Sequence, residues 1–119
     1  MMCDAMKKIF VCSPFGGKQV NIDRAKEYCK FVLSKDAAPF APHLLFPQML
    51  DDSKEEDRRK GIACGLEYLS MCDEIWIFIP EGEQLSDGMK METIAASRAN
   101  VLIDYMYQDF LEWMRGEKK

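Results

Sequence analysis

The sequence predicts a three-layer α/β fold around a short, mainly parallel sheet of four to five strands. Short apolar runs closed by proline or glycine alternate with longer stretches of helical periodicity. The clearest run, Glu74 to Ile79, is apolar on both of its faces, as a strand covered from two sides must be.

Ile9-Phe10-Val11-Cys12 reads as a buried strand that stops at the loop Ser13-Pro14-Phe15-Gly16-Gly17. Asn21 then caps a helix with Asp23 in its first turn, and Ile22, Ala25, Cys29, Val32 and Leu33 form its apolar face. Pro39 stops that helix near Lys35. Around Phe40 to Phe46 the prolines exclude a central antiparallel ladder but permit a short strand that begins or ends at them. Ser53 and Glu56 have capping-box spacing, and Ile62, Leu66 and Leu69 line the helix that follows, to about Met71. Beyond the strand Glu74–Ile79, a helix opens near Ser86 and runs to about Asn100. A last strand over Val101 to Asp104 and a closing helix from Tyr105 to Arg115 complete the chain. Tyr107, Phe110 and Trp113 of that helix either close the core or seat a partner subunit.

With 119 residues, 48% apolar and 30% charged, the chain is expected to form one domain over 1–119, and a homodimer suits its size. The net charge of −4 provides no footprint for a nucleic-acid polymer. Arg58, Arg59 and Lys60, which follow five acidic residues, read as a solvated helix face. Five cysteines, an odd number with no Cys-x-x-Cys pair, signal neither a disulfide framework nor a metal site. No apolar stretch reaches membrane length, and a cytoplasmic protein is expected. The dinucleotide fingerprint, the phosphate loop and the nucleophile elbow are all missing, so no cofactor is implied.

In such sheets ligands sit outside the carboxyl ends of the strands, at the switch in strand order. The Ser13–Gly17 loop, the region of His43 and the loop from Pro80 to Gly88 converge there. Ser86 can cap the next helix, and Gly88 admits a ligand close to the backbone, an arrangement suited to an anion. Glu92, about one and a half turns further on, is expected to be held charged by the helix N-terminus, as a nucleophile requires. Ser13 is a second anion contact, and His43, the only histidine, titrates near neutrality as a proton donor should.

Ser86, Gly88, Glu92 and Ala95 or Ala96, following Cys72-Asp73-Glu74-Ile75-Trp76-Ile77-Phe78, resemble the nucleoside 2-deoxyribosyltransferase family, as does the opening run Ile9 to Gly17. The likeness spans roughly Ile9 to Tyr105 and is greatest to a branch marked by Ser13-Pro14, Pro42-His43-Leu44-Leu45-Phe46-Pro47 and Cys72-Asp73-Glu74-Ile75-Trp76. It implies a flavodoxin-like or Rossmann-like sheet and a small nucleoside or nucleotide as ligand. It implies a catalytic role for Glu92, as nucleophile at the anomeric carbon, while His43 is the expected proton donor from its own chemistry and its place near the cleft. Ser13, Phe15, Gly16, Gly17, Ser86 and Gly88 would bind substrate, Ser86 at a 5′-phosphate. The implied activity is transferase or hydrolase chemistry at the N-glycosidic bond of a 2-deoxynucleoside or its 5′-monophosphate, by retaining glycoside logic. Two family positions depart: its helical aspartate aligns with Gly65 and its first-strand tyrosine with Phe10. These departures bring in a second reading, a nucleotide-binding module without turnover; a scaffold using the Trp113 surface is the third.

Overall fold

A computed structural model describes residues 6–116. The strands are β1 (Lys8–Cys12), β2 (Ala38–Phe40), β3 (Glu74–Ile77) and β4 (Leu102–Tyr105). The helices are α1 (Gln19–Ser34), α2 (Pro42–Leu45), α3 (Glu55–Leu69), α4 (Asp87–Arg98) and α5 (Tyr107–Arg115), with a 3₁₀ turn over Phe46–Gln48. All pairings are parallel and the strand order is β2-β1-β3-β4. The chain moves to one side of β1 to form β2 and to the other to form β3. The switch point therefore lies at the carboxyl ends of β1 and β3, beyond Cys12 and Ile77.

Residue parity along the strands divides the core into two layers. Ile9 and Val11 of β1, with Trp76 and Phe78, face α1 and α5, where Tyr28, Phe31, Phe110 and Trp113 pack against them. The Tyr28 and Phe78 rings stack with centroids 4.4 Å apart. Phe10, Cys12, Ile75 and Ile77 face the other way, onto Leu69 of α3 and Met89 and Ala96 of α4. The apolar character of Ile75 to Phe78 on both faces follows from this double cover. Phe110 and Trp113 are core residues.

Several local expectations are corrected. Asn21 is not a cap: α1 begins two residues earlier, after Lys18, and Asn21 is buried within its first turn. The inward face of α1 is Ala25, Tyr28, Phe31 and Val32, while Leu33 is 54% exposed, because aromatic bulk directs the helix onto the sheet. Ser53 does not close a capping box; its hydroxyl donates to Asp51 Oδ1 at 2.6 Å and α3 starts at Glu55 without a side-chain cap. Past Phe40 the chain turns into α2 with Pro42 in its first turn, so no strand follows. The third strand is four residues long, although the Phe78 N–H still donates to Cys12 O at 2.9 Å. Ser86 does cap α4, accepting the Met89 N–H at 3.3 Å.

Candidate functional site

The loop after β1 is set by backbone geometry. Gly16 and Gly17 take φ of +57° and +70°, the left-handed region that glycine enters without steric cost. The turn is tied back when Asn21 Nδ2 donates to Phe15 O at 2.8 Å. His43 Nε2 lies 2.7 Å from Ser13 O. A carbonyl only accepts, so Nε2 carries the proton and, in the neutral ring, Nδ1 keeps the lone pair. Burial lowers the His43 pKa from 6.5, against the opposing pull of the Ser13 carbonyl and the Asp52 charge. The Phe15 ring stacks on His43 with centroids 4.8 Å apart and planes 15° apart. Ser13 itself is 1% exposed, and its Oγ has no hydrogen-bond partner among the described residues.

Glu92 shares the inward side of α4 with Met89 and Ala96, three and four residues away, yet only 8% of it is exposed. Burial pushes its carboxyl up to about 7, and a hydrogen bond from the Cys12 side chain draws it partly back. The expectation that the helix N-terminus holds Glu92 charged is thus corrected: Glu92 lies past the first turn of α4, and burial pushes its carboxyl up. Cys12 ends β1 on the same side of the sheet, and burial first, then the Glu92 charge, push its thiol well above the usual range. It is a proton donor to Glu92, not a thiolate.

Glu92 opens onto a pocket of about 80 Å³ that it shares with Phe15 and His43. That volume is small beside those that enclose whole drug-sized ligands. Pro42, Phe46, Leu50 and Ile62 give it apolar walls, and Asp52, Asp57 and Arg58 bring charge to it. A groove containing Gly16, Gly17 and Ser53 adjoins it and shares Phe15, Pro47, Leu50 and Asp52 with it. The residues proposed from sequence therefore fall into two groups. Phe15, His43 and Glu92 meet in the pocket, Gly16 and Gly17 line its extension, and Ser13 holds His43 from behind through its carbonyl. Ser86 and Gly88, by contrast, line neither cavity.

The two departing positions have packing roles. A Cβ built on Gly65 would lie 3.7 Å from Pro42 Cβ, so α3 approaches the pocket wall through a buried glycine. Phe10 is fully buried with its ring 5.7 Å from Phe40. Sequence reasoning missed Cys12 as a site residue, although its equal parity with Phe10 and its place at a strand end were signals. It also missed the walls from Phe46, Pro47, Leu50 and Ile62, because apolar residues carry no mark separating a pocket wall from a core. Among the described residues no group of three or more histidines, cysteines or acids could hold a metal ion. None of the helices among them is long and apolar enough to cross a membrane.

The doubly wound sheet with a carboxyl-bearing pocket at its switch point defines a small α/β protein of flavodoxin-like fold. The chain belongs to the family described as Domain of unknown function (DUF7768), whose family model matches residues 7–106. Among solved structures it is similar to a 2-deoxyribosyltransferase from the psychrotolerant bacterium Bacillus psychrosaccharolyticus, with a TM-score of 0.63 and 18% identity. That match covers 81% of this chain and 69% of the other; at this identity it shows a common fold. No curated protein matches the chain.

Proposed function

We propose that this protein cleaves or transfers at the N-glycosidic bond of a 2-deoxynucleoside or its 5′-monophosphate, with Glu92 as nucleophile. The observation that carries the reading is a buried carboxyl at the switch point, opening onto the same apolar pocket as His43 and Phe15. A flat heteroaromatic base suits walls of Phe15, Phe46 and proline. Glu92 in its ionised form attacks the anomeric carbon, the base departs with the bonding pair, and an acceptor base or water releases the sugar with retention. The carboxylate form is available because the pKa of about 7 sits near working pH. The leaving base takes its proton from His43 in the imidazolium form, protonated at Nδ1. Burial opposes that form and the Asp52 charge favours it. Ser13, Gly16 and Gly17 shape the sugar side, and Ser86 with Gly88 remains the candidate contact for a 5′-phosphate. The free thiols of Cys12, Cys29, Cys64 and Cys72 suit a cytoplasmic location.

One observation favours a second reading, binding without turnover. Gly65, where the related family carries its second acid, is filled by packing against Pro42 and leaves no acid there. Incubation of the protein with a panel of 2-deoxynucleosides and their monophosphates, with chromatography for released base, separates the two. Released base that disappears in Glu92→Ala supports the enzyme. Thermal stabilisation by a nucleoside with no product supports the binding module. Turnover that survives Glu92→Ala overturns the mechanism.

A further inference from the structure

We infer that the outward face of α4 is an interface between two copies of this chain, in which the two α4 helices pack antiparallel across a two-fold axis. The inference stands apart from the proposed chemistry, because Glu92 lies on the inward side of the same helix.

Single exposed apolar side chains are ordinary on a folded surface. Met91 and Ile94 differ: they stand three residues apart on one helix, 46% and 52% exposed, and so adjoin on its outer face. Asp87 lies four residues before Met91 and Arg98 four residues after Ile94, and both are exposed. Spacing of four, three and four keeps these side chains on one stripe, the a and d seam along which two helices pack. The stripe lies opposite Met89, Glu92 and Ala96, the buried residues of α4.

That stripe is complementary to itself. Asp87 and Arg98 are equidistant from its centre in sequence, and so are Met91 and Ile94. A two-fold axis through the centre therefore lays Asp87 against the partner's Arg98 and Met91 against the partner's Ile94, each pair formed twice. Neither Asp87 nor Arg98 has an ion-pair partner among the described residues, so the charges at both ends of the stripe are open to such a contact. A parallel pairing would instead set Asp87 against its own copy and Arg98 against its own, which like charge opposes. Two helices of 12 residues bury less than the roughly 1,200 Å² at which standard interfaces begin, so the dimer is reversible and of micromolar strength.

Sedimentation velocity of the full chain at low salt, over a protein concentration range of about 5 to 500 μM, tests this. The expected result is a reversible monomer–dimer equilibrium with Kd on the order of 10–100 μM. Ile94→Asp should weaken the dimer at least about tenfold, because two apolar contacts are lost from each dimer. Asp87→Arg and Arg98→Glu should each weaken it at least about fivefold, by setting like charges together at both ends of the stripe. An equimolar mixture of those two charge variants should recover the dimer, since a mixed pair sets opposite charges together at both ends. Circular dichroism should show all three variants folded, because each change lies on the exposed face. A chain that stays monomeric throughout the range overturns the inference, and so does a dimer that Ile94→Asp leaves intact. A mixture that associates no better than either charge variant alone overturns the antiparallel pairing.

Discussion

Glu92 imposes a conflict between stability and chemistry that can be measured directly. Its carboxyl titrates at about 7 in the folded chain against 4.5 when unperturbed. Between those values the folded chain holds the proton more tightly than the unfolded chain, so this group's stabilising share is complete below about pH 4.5 and lost as pH rises through 7. Ionising it inside the fold costs about 3 kcal/mol, from about 1.4 kcal/mol per pKa unit. Glu92→Gln, isosteric and uncharged, should therefore stabilise the protein by up to about 3 kcal/mol above pH 8 and by almost nothing below pH 5, read from urea melts at the two pH values. The same titration governs the proposed reaction, which needs Glu92 ionised and His43 protonated: base release should rise with pH as Glu92 ionises and fall again as His43 gives up its proton. Cys12→Ala removes the hydrogen bond that holds the carboxyl down, so the rising limb of that profile should move to higher pH. The accompanying loss of about 1 kcal/mol from the small cavity does not by itself move a pH profile.

The element that defines the pocket is the segment Pro42–Gln48 lying on α3, and that contact runs through two glycines one helical turn apart. Cβ positions on Gly61 and Gly65 would meet Leu50 and Pro42 at 3.5 and 3.7 Å, ordinary contact distances for a methyl group and no room for more. Gly65→Ala should be tolerated or slightly stabilising, since it also gains helix propensity. Gly65→Asp should not restore a second acid. It places a carboxylate in a buried position against Pro42, at an expected cost of about 2–4 kcal/mol in chemical denaturation. At this scale the sequence was partly legible. The strands and the Ser86 cap could be read because their signals are local: continuous apolar runs, and a hydroxyl immediately before helical spacing. The register of α1 could not, because Ile22, Cys29 and Leu33 have helical spacing as good as Tyr28 and Phe31. Packing of the aromatic rings decided between them. Ser53 failed as a cap because Asp51, two residues before it, offers its hydroxyl a nearer acceptor.

For the molecule as a whole, alternation of strands and helices was enough to give parallel order and the position of the cleft, since parallel crossovers leave few topologies. Composition and pattern also placed Glu92 and His43 near the strand ends. What they could not show was burial, which decides protonation: the helix N-terminus argued for a charged glutamate, but Glu92 lies past the first turn of α4, and burial pushes its carboxyl up. Nor could they show that Ser86 and Gly88 lie outside the pocket, because a loop's path is set by tertiary contacts such as the Arg24–Glu83 pair at 3.2 Å. The proposed chemistry depends on Glu92 attacking a sugar carbon. Its most direct test is intact-mass and peptide-mapping mass spectrometry of the protein quenched during incubation with a turned-over 2-deoxynucleoside. A mass increase of one deoxyribosyl unit, mapped to Glu92 and missing in Glu92→Gln, is the expected result. Base release with Glu92 unmodified and the adduct on another residue, or turnover undiminished in Glu92→Gln, would contradict it.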